Sequence, residues 1–448
     1  MKTYPKMKDS GIKWIKKIPE HWDVKRLKFT TKFDLSTVDR HEDHEFQVSI
    51  CHYPQVYNNE KITDLTELSS GTCTKKEIEK FRLKKDDVLI TKDSETPDDI
   101  GVPAYVVDDL KNTVCGYHIA QLTTNKKELL GLFLFRFIQS DVVNAYFETE
   151  SNGVTRFGLG KDSIANLNVV VPSILEQNSI SRFIDIETAK IDSEIFKHKK
   201  LIEILREKRR NIINQVVTKG LDPNVPMKYS GIEWIGRIPD HWKISKIKYY
   251  VTKISSGSTP KGGSEIYEDY GIPLIRSQNV HFDGLHLEDV AYINPQIHSQ
   301  MNRTHLQDFD VLLNITGASI GRCTYVPENF GEGNVNQHVC IIRTSQKLHY
   351  GFLQKYLESE LIQNWINVIQ VGVSRQGLTF DEIGSLNIPI FEKEEQKHIV
   401  SYLDEETTKI NSLILNIESQ IKKLEEFRQS LISSAVTGKI DVRQEIVA

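Results

Sequence analysis

The 448-residue sequence predicts an α+β fold written twice: a tandem pseudo-twofold repeat of two mixed α/β globular modules, separated by two long helices that pair as an antiparallel coiled coil. Three observations predict it. Residues 7–29 and 227–249 share twelve identities in 23 positions, among them Trp14/Trp234, Pro19/Pro239, His21/His241 and Trp22/Trp242, and internal repetition of that density marks a duplicated structural unit. The register persists where the sequences diverge: Asp87-Val-Leu-Ile-Thr matches Asp310-Val-Leu-Leu-Asn, His118 matches His338, and Gly153-Val-Thr-Arg-Phe-Gly-Leu matches Gly372-Val-Ser-Arg-Gln-Gly-Leu. Finally, Glu176-Gln177 and Glu395-Gln396 each open a long proline-free segment with apolar residues at heptad spacing.

In chain order, the reading gives a first module over residues 1–175, a helix and linker over 176–222, a second module over 223–393, a second helix over 394–440 and a tail over 441–448. Within the modules, short β-rich runs such as PAYVV, NLNVVVP, DVLLNIT and HVCIIRTS alternate with the helical segments LFLFRFIQSDVVNAYF and FLQKYLESELIQNWI. In the first long helix the seam residues are Ile184, Ile191, Leu205 and Ile212 at one heptad position and Ile195 and Ile202 at the other, with His198 interrupting the run. In the second they are Leu403, Ile410, Ile417, Leu424 and Leu431, interleaved with Ile414 and Ile421. Each helix runs out at a glycine, in Thr218-Lys-Gly and Thr437-Gly-Lys. Two such helices in one chain bury both seams most simply against each other, antiparallel, since each follows its own module. From Ile184 to Val216, ~1.5 Å per residue gives a rod of roughly 50 Å, longer than the ~34 Å turn of B-DNA. One heptad added to both helices is therefore expected to change the gap between two read sites.

Composition narrows the function classes. A hydrophobic content of 39% with 26% charge is ordinary for a folded chain, and no run of ~18 apolar residues exists to cross a bilayer. The first residues lack the apolar stretch of an export signal, so a cytoplasmic location without membrane partners is expected. Five scattered cysteines form no C-x-x-C pair and are expected as isolated thiols. A net charge of -4 excludes coating nucleic acid by bulk positive charge, so any DNA binding must be local or shared with a partner. Asn294-Pro295-Gln296 misses the Asn-Pro-Pro-aromatic tetrapeptide of amino-methylation at its third residue, and GLGKDS lacks the residues of a phosphate loop. The carboxylates Asp93, Glu95, Asp98 and Asp99 have no equivalents in the matching stretch from Asn314 to Gly321, which favours a turn-rich loop over a metal site. No catalytic residue, metal or cofactor is expected in this chain.

Recognition residues are sought in the loops, where the halves differ most. In the first module the candidates are Lys92, Thr96, Tyr117, His118, Thr155, Arg156 and Phe157. In the second they are Ser258, Thr259, Lys261, Arg276, Gln278, Asn279, Arg322, Arg375 and Gln376, side chains suited to base edges or phosphates. Arg156 and Arg375 each follow a glycine-valine turn, where a guanidinium grips phosphate or guanine, or closes an internal salt bridge. The basic run Lys13, Lys16, Lys17, Lys25, Arg26 and Lys28 suits a nucleic-acid backbone or a solvated strand edge. The paired tryptophans are expected to pack the first strand of each module on its core.

These residues resemble the DNA specificity subunit of type I restriction-modification systems. The block SGIEWIGRIPDHW from Ser230 to Trp242, its earlier copy with Lys16-Lys17 in place of Gly-Arg, the Glu-Gln helix openings and the closing Ala435-Val-Thr-Gly-Lys carry the resemblance, which spans nearly the whole chain. It implies two target-recognition domains that each read one half of a split double-stranded DNA site, and helical regions that set the spacer. It implies partners as well: two methyltransferase subunits that bring S-adenosylmethionine, and motor-nuclease restriction subunits that use ATP and magnesium. Two other readings stay open at this point, a protein adaptor that joins two identical partners through its helices and a specificity subunit of a different restriction class.

Overall fold

The computed structural model describes residues 2–38, 45–258, 263–370 and 377–443. They form two compact units, Met1–Lys199 with Glu418–Ala448, and Lys200–Ile417. The division falls inside both long helices, Ile174–Lys219 and Lys393–Val436, so each unit holds one module, part of its own helix and part of the other module's helix.

In the first unit a five-stranded sheet has the order Thr31–Leu35, Ile119–Thr124, Val88–Thr91, Pro103–Val106, Lys61–Ile62. Its central strands VLIT and PAYV are buried at every position, as strands covered on both faces must be. The helix Gly131–Ile138 packs beside it, with Phe135 against Tyr105 of the sheet and Phe133, Phe135 and Phe137 all fully buried. Its first residue has to be glycine, because a Cβ there would stand 2.0 Å from the carbonyl oxygen of Asp86. A second sheet, Thr113–Cys115, Phe46–Cys51, Ser69–Cys73, completes this module.

The second unit repeats the frame. Its four-stranded sheet runs Val251–Ser256, Val339–Thr344, Val311–Asn314, Cys323–Tyr325, with the helix Tyr350–Glu358 placed as Gly131–Ile138 is in the first. The registers agree as well. Thr91 pairs with Ile119 in one module, and Asn314 with Val339 in the other. Each module closes with the same ribbon, Asp23–Arg26 against Asn168–Val171 and Lys243–Lys246 against Asn387–Ile390.

The repeated motifs turn out to be clamps. Gln177 and Gln396 are fully buried one turn into the long helices. The Gln177 carboxamide accepts from Leu130 N and donates to Glu128 O and Pro172 O, and Gln396 does the same with His349 N, Lys347 O and Phe391 O. An unpaired buried amide costs about 1–3 kcal/mol, so both must be glutamine. The preceding glutamates hold the first strands: Glu176 accepts from Tyr4 and pairs with His21, whereas Glu395 pairs with His241 and accepts from the Trp242 indole. Trp22 and Trp242 are fully buried, as expected, and the half-buried Trp234 packs against the core of the second module, but Trp14 is 37% exposed, so the expected core packing fails for Trp14. Trp14 belongs to the turn that precedes the strand Lys17–Pro19.

The paired helices are antiparallel within the first unit. Asp192 meets Arg428 and His198 meets Gln420, so the partner number falls as the helix advances. Ile184, Ile191, Ile195, Ile202, Leu403, Ile410, Ile414, Ile417, Ile421 and Leu431 are buried, while Leu205, Ile212 and Leu424 are half-buried. The helix ends meet the module starts. Gly438, at φ +72°, sits where a Cβ would come 2.3 Å from Pro19, and Asp441 N donates to Lys2 O at 2.8 Å. Gly220 makes the equivalent approach to Trp242 in the second unit. Lys2 and Asp441 are thus joined in the first unit just as the linker joins helix to module in the second.

Candidate nucleic-acid interface

The first module gathers its loop residues around a cavity of about 930 Å³, lined by Tyr53, Asp93, Glu95, Thr96, Asp99, His118, Thr155 and Arg156 among others. Three segments build it. The hairpin Asn152–Gly153/Phe157–Gly158 pairs with Asp93–Ser94, which carries Arg156 back toward the sheet. His118 follows the Cys115 strand with φ +68°, a left-handed turn that aims its ring into the cavity. Asp93 then binds both Lys92 Nζ at 2.6 Å and His118 Nδ1. Burial would raise the Asp93 carboxyl, but the Lys92 ammonium and the His118 ring outweigh it and hold the group below its ordinary value. Arg156 approaches His118 Nε2 at 3.4 Å. A guanidinium only donates, so Nε2 accepts and Nδ1 carries the proton toward Asp93. Lys92 also lies 5.0 Å from the Tyr117 ring centre, and Tyr117 packs edge-on to His118. The result is a fixed histidine between a carboxylate and an arginine, open to solvent beside an exposed hairpin tip.

The second module places His338 in the same frame with different neighbours. Its Nδ1 is bound by Thr316 Oγ1 at 2.5 Å, in the place of Asp93, and its Nε2 by the Gln337 amide at 2.9 Å. Thr316 bridges Gly377 as Asp93 pairs with Gly158, so the equivalence extends to the loop behind. Charged partners in the first unit have become neutral ones.

Of the first-module candidates, Thr96, His118, Thr155 and Arg156 line the cavity, and Lys92, Tyr117 and Phe157 flank it. The second set is scattered. Ser258 and Gln278 are exposed. Arg276 donates to Asp289 O and lies 5.7 Å from the Tyr267 ring centre. Arg322 lines a separate cavity. Asn279 needs correction: it is buried at 2% exposure, with its amide spent on Arg276 N and His286 O, and so holds a turn rather than offering itself to a base. Thr259, Lys261, Arg375 and Gln376 lie outside the described residues. In the basic run, Lys25 is paired with Glu128 and Lys28 with Asn166, and Lys25 and Arg26 lie on a strand paired with Asn168–Val171. Asp93, Thr316, Gln337 and His338 join these clusters without being among the candidates the sequence offers. The signal was present in the His118/His338 match, followed two positions past each Thr91/Asn314.

Among the described residues, His281, Asp283 and His286 have metal-type ligand atoms within 4.8 Å of one another. Their two rings are stacked 4.0 Å apart at 13°, and Asp283 is bound to His286. Lone pairs in parallel rings point side by side rather than at one ion, so these residues do not converge on a metal.

The fold and these clefts define a class: a doubled recognition scaffold in which equivalent loops carry different polar groups. The chain belongs to the type I restriction-modification DNA specificity family, whose domain model matches residues 52–205 and 239–423. It is 24% identical over 446 residues to the putative type I restriction enzyme MjaX specificity subunit of Methanocaldococcus jannaschii, a match covering 96% of each chain. It is 23% identical over 299 residues to the EcoBI specificity subunit of Escherichia coli, covering 65% of this chain and 62% of that one. Among solved structures, the HsdS subunit from Thermoanaerobacter tengcongensis superposes with a TM-score of 0.52 at 16% identity, over 94% of this chain and 98% of that one. A chain from a study of complex assembly and conformational transition in the type I R-M system superposes with a TM-score of 0.68, also at 16% identity, over 94% and 99%.

Proposed function

We propose that this chain is the DNA-reading subunit of a type I restriction-modification assembly, and that each module reads one half of an asymmetric, bipartite duplex target. One observation carries the reading: His118 and His338 occupy equivalent positions in two copies of one frame, yet present a carboxylate and an arginine in one case and a hydroxyl and an amide in the other. Such a pair reads two different sequences with one geometry. The chain itself performs no catalysis in this reading. Two methyltransferase subunits supply S-adenosylmethionine and the adenine chemistry, and motor-nuclease subunits supply ATP- and magnesium-dependent cleavage; family membership supports this division of labour. The assembly works in the cytoplasm, in keeping with a chain in which no described helix is long and apolar enough to cross a membrane.

The test is methylation mapping of a host that carries the gene, with and without exchange of residues 243–390 for another module. One half-site should change and the other persist. Change in both half-sites, or methylation that ignores the exchange, would overturn the reading.

A further inference from the structure

The second unit holds a cavity of about 460 Å³ whose lining includes Arg206, Arg209 and Arg322 against one carboxylate, Asp283. Arg206 and Arg209 stand one turn apart on the first long helix, and Arg322 ends the loop that begins after the strand Val311–Asn314. Two donor sets are left over. Arg209 is bound through one terminal nitrogen to the buried Glu358, but its Nε–H is buried without an acceptor. The half-buried Arg322 guanidinium has no hydrogen-bond or ion-pair partner among the described residues. An unmet buried N–H costs about 1–3 kcal/mol, so an acceptor that completes the set is strongly favoured.

The equivalent place in the first unit is saturated. Arg428, which matches Arg209 in the repeat, is bound by both Glu60 and Asp192, and Glu425 stands where the other half has Arg206. Among the described residues, the unmet donors of the second unit therefore have no counterpart at the equivalent arginine of the first.

We infer that this cavity binds a phosphodiester group of the DNA backbone, held by Arg322 and Arg206 with the free Nε–H of Arg209. Arginine forks suit phosphate oxygens in number and geometry. DNA is the source because Arg322 and Thr316 belong to one short loop, closed by Gly321 N to Asn314 O at 2.9 Å. Thr316 is the residue that fixes His338, so a duplex presenting base edges to His338 lays its backbone along the same loop. The inference rests on the DNA-reading function and adds a contact that positions without specifying sequence.

The experiment is the salt dependence of full-length chain binding to its mapped target duplex and to a scrambled duplex, for the wild type, Arg322→Gln, Lys200→Gln and His338→Ala. Lys200 is exposed on the same long helix and controls for general surface charge. Arg322→Gln should make the slope of log affinity against log salt shallower by about 1, and weaken target and scrambled duplexes by the same factor. Lys200→Gln should leave the slope unchanged, and His338→Ala should weaken the target only. An unchanged slope for Arg322→Gln, an equal effect from Lys200→Gln, or a loss confined to the target sequence would each overturn the phosphate site. A wild type that does not distinguish target from scrambled duplex refutes sequence reading instead, and a shallower Arg322→Gln slope in that case still supports the phosphate site.

Discussion

His118 and His338 sit at one position in two copies of one sheet, and comparing them separates what the frame demands from what recognition varies. In both, the ring nitrogen Nδ1 is fixed by a side chain at the matching position and Nε2 accepts from a neighbouring donor. The frame requires an oriented, Nδ1-protonated histidine. The partners are free to differ, and they do: Asp93 with Arg156 in one module, Thr316 with Gln337 in the other. The same division runs through the core. Asp87 and Asp310 are both buried at the start of the central strand, but Asp87 is satisfied by Lys84 N, Gln121 and Thr123, whereas Asp310 is bound by the Arg343 guanidinium through two nitrogens.

The largest expected effect breaks that core comparison. Asp310→Asn removes the charge facing Arg343, and loss of one partner of a buried pair costs about 3–5 kcal/mol; the low end applies because Arg343 is 25% exposed. Asp87→Asn should cost only about 1 kcal/mol, since neutral donors surround it. Burial raises the Asp87 carboxyl above its ordinary value. A raised folded pKa favours the fold below the unfolded value and withdraws that support as pH rises through the folded one, so at neutral pH the ionised group is already an expense. Native-state hydrogen exchange in Val88–Thr91 and Val311–Asn314 measures the two costs separately, and equal losses would refute the distinction.

Next in size are the side chains proposed to read bases. Arginine prefers the two acceptors of guanine, and glutamine the acceptor-donor pair of adenine, each worth about 1–3 kcal/mol of discrimination. Arg156→Ala is thus expected to relax a guanine in the first half-site, and Gln337→Ala an adenine in the second, each about tenfold or more with the other half-site untouched. Methylation mapping decides; relaxation in both half-sites from either change would mean the clefts are not independent.

How much of this was legible beforehand follows from which physics sets each feature. The doubled modules and the heptad helices were readable because hydrophobic periodicity and exact repetition are local in sequence. Four cavity-lining residues of the first module were found because they fall in two short loops and on one singular histidine. Asp93 reads as a turn residue in the sequence because its contacts depend on a hairpin some sixty residues later that folds back on it. Asn279 departs from its expected role for the converse reason: an exposed-looking amide between Gln278 and Val280 is buried by a ribbon that only pairing reveals. The Glu-Gln clamps were seen as helix openings, while their contacts with Leu130 and His349 span more than forty residues and leave no local trace.

A smaller effect sharpens the cleft comparison. Asp93→Asn keeps the shape but removes the charge shared by Lys92 and His118, and should weaken first-module reading by about 1–2 kcal/mol. The Asp93 carboxyl is held below its ordinary value, so its support is present above the unfolded value of ~3.9 and is lost as pH falls through the folded one. Asp93 itself should therefore impose no change in DNA affinity between about pH 6 and 8. Affinity measured across that range in His118→Ala with and without Asp93→Asn, so that no neighbouring ring titrates, should run parallel, and divergence would show that the carboxylate titrates where the lowered value forbids it.

The smallest effect compares the two buried tryptophans. Trp22 and Trp242 are both fully buried at matching positions, and replacing either by phenylalanine removes the same ring volume, so the cavity terms largely cancel. The indole nitrogens differ. Trp242 Nε1 donates to Glu395 at 3.0 Å, whereas Trp22 Nε1 has no acceptor because Tyr4 has taken the matching oxygen of Glu176. Trp242→Phe should therefore cost about 1.5 kcal/mol more than Trp22→Phe, the low end for one hydrogen bond to a charged group, and Trp22→Phe should recover part of its cavity cost by removing an unmet donor. Adding Tyr4→Phe to Trp22 restores a free Glu176 oxygen beside the indole. If the equivalence of the two halves extends to this level, that change should make the Trp22→Phe penalty rise toward the Trp242→Phe value, read by hydrogen exchange in each closing ribbon. Penalties that stay equal in all backgrounds would mean that the indole hydrogen bond contributes nothing and that packing alone keeps both tryptophans.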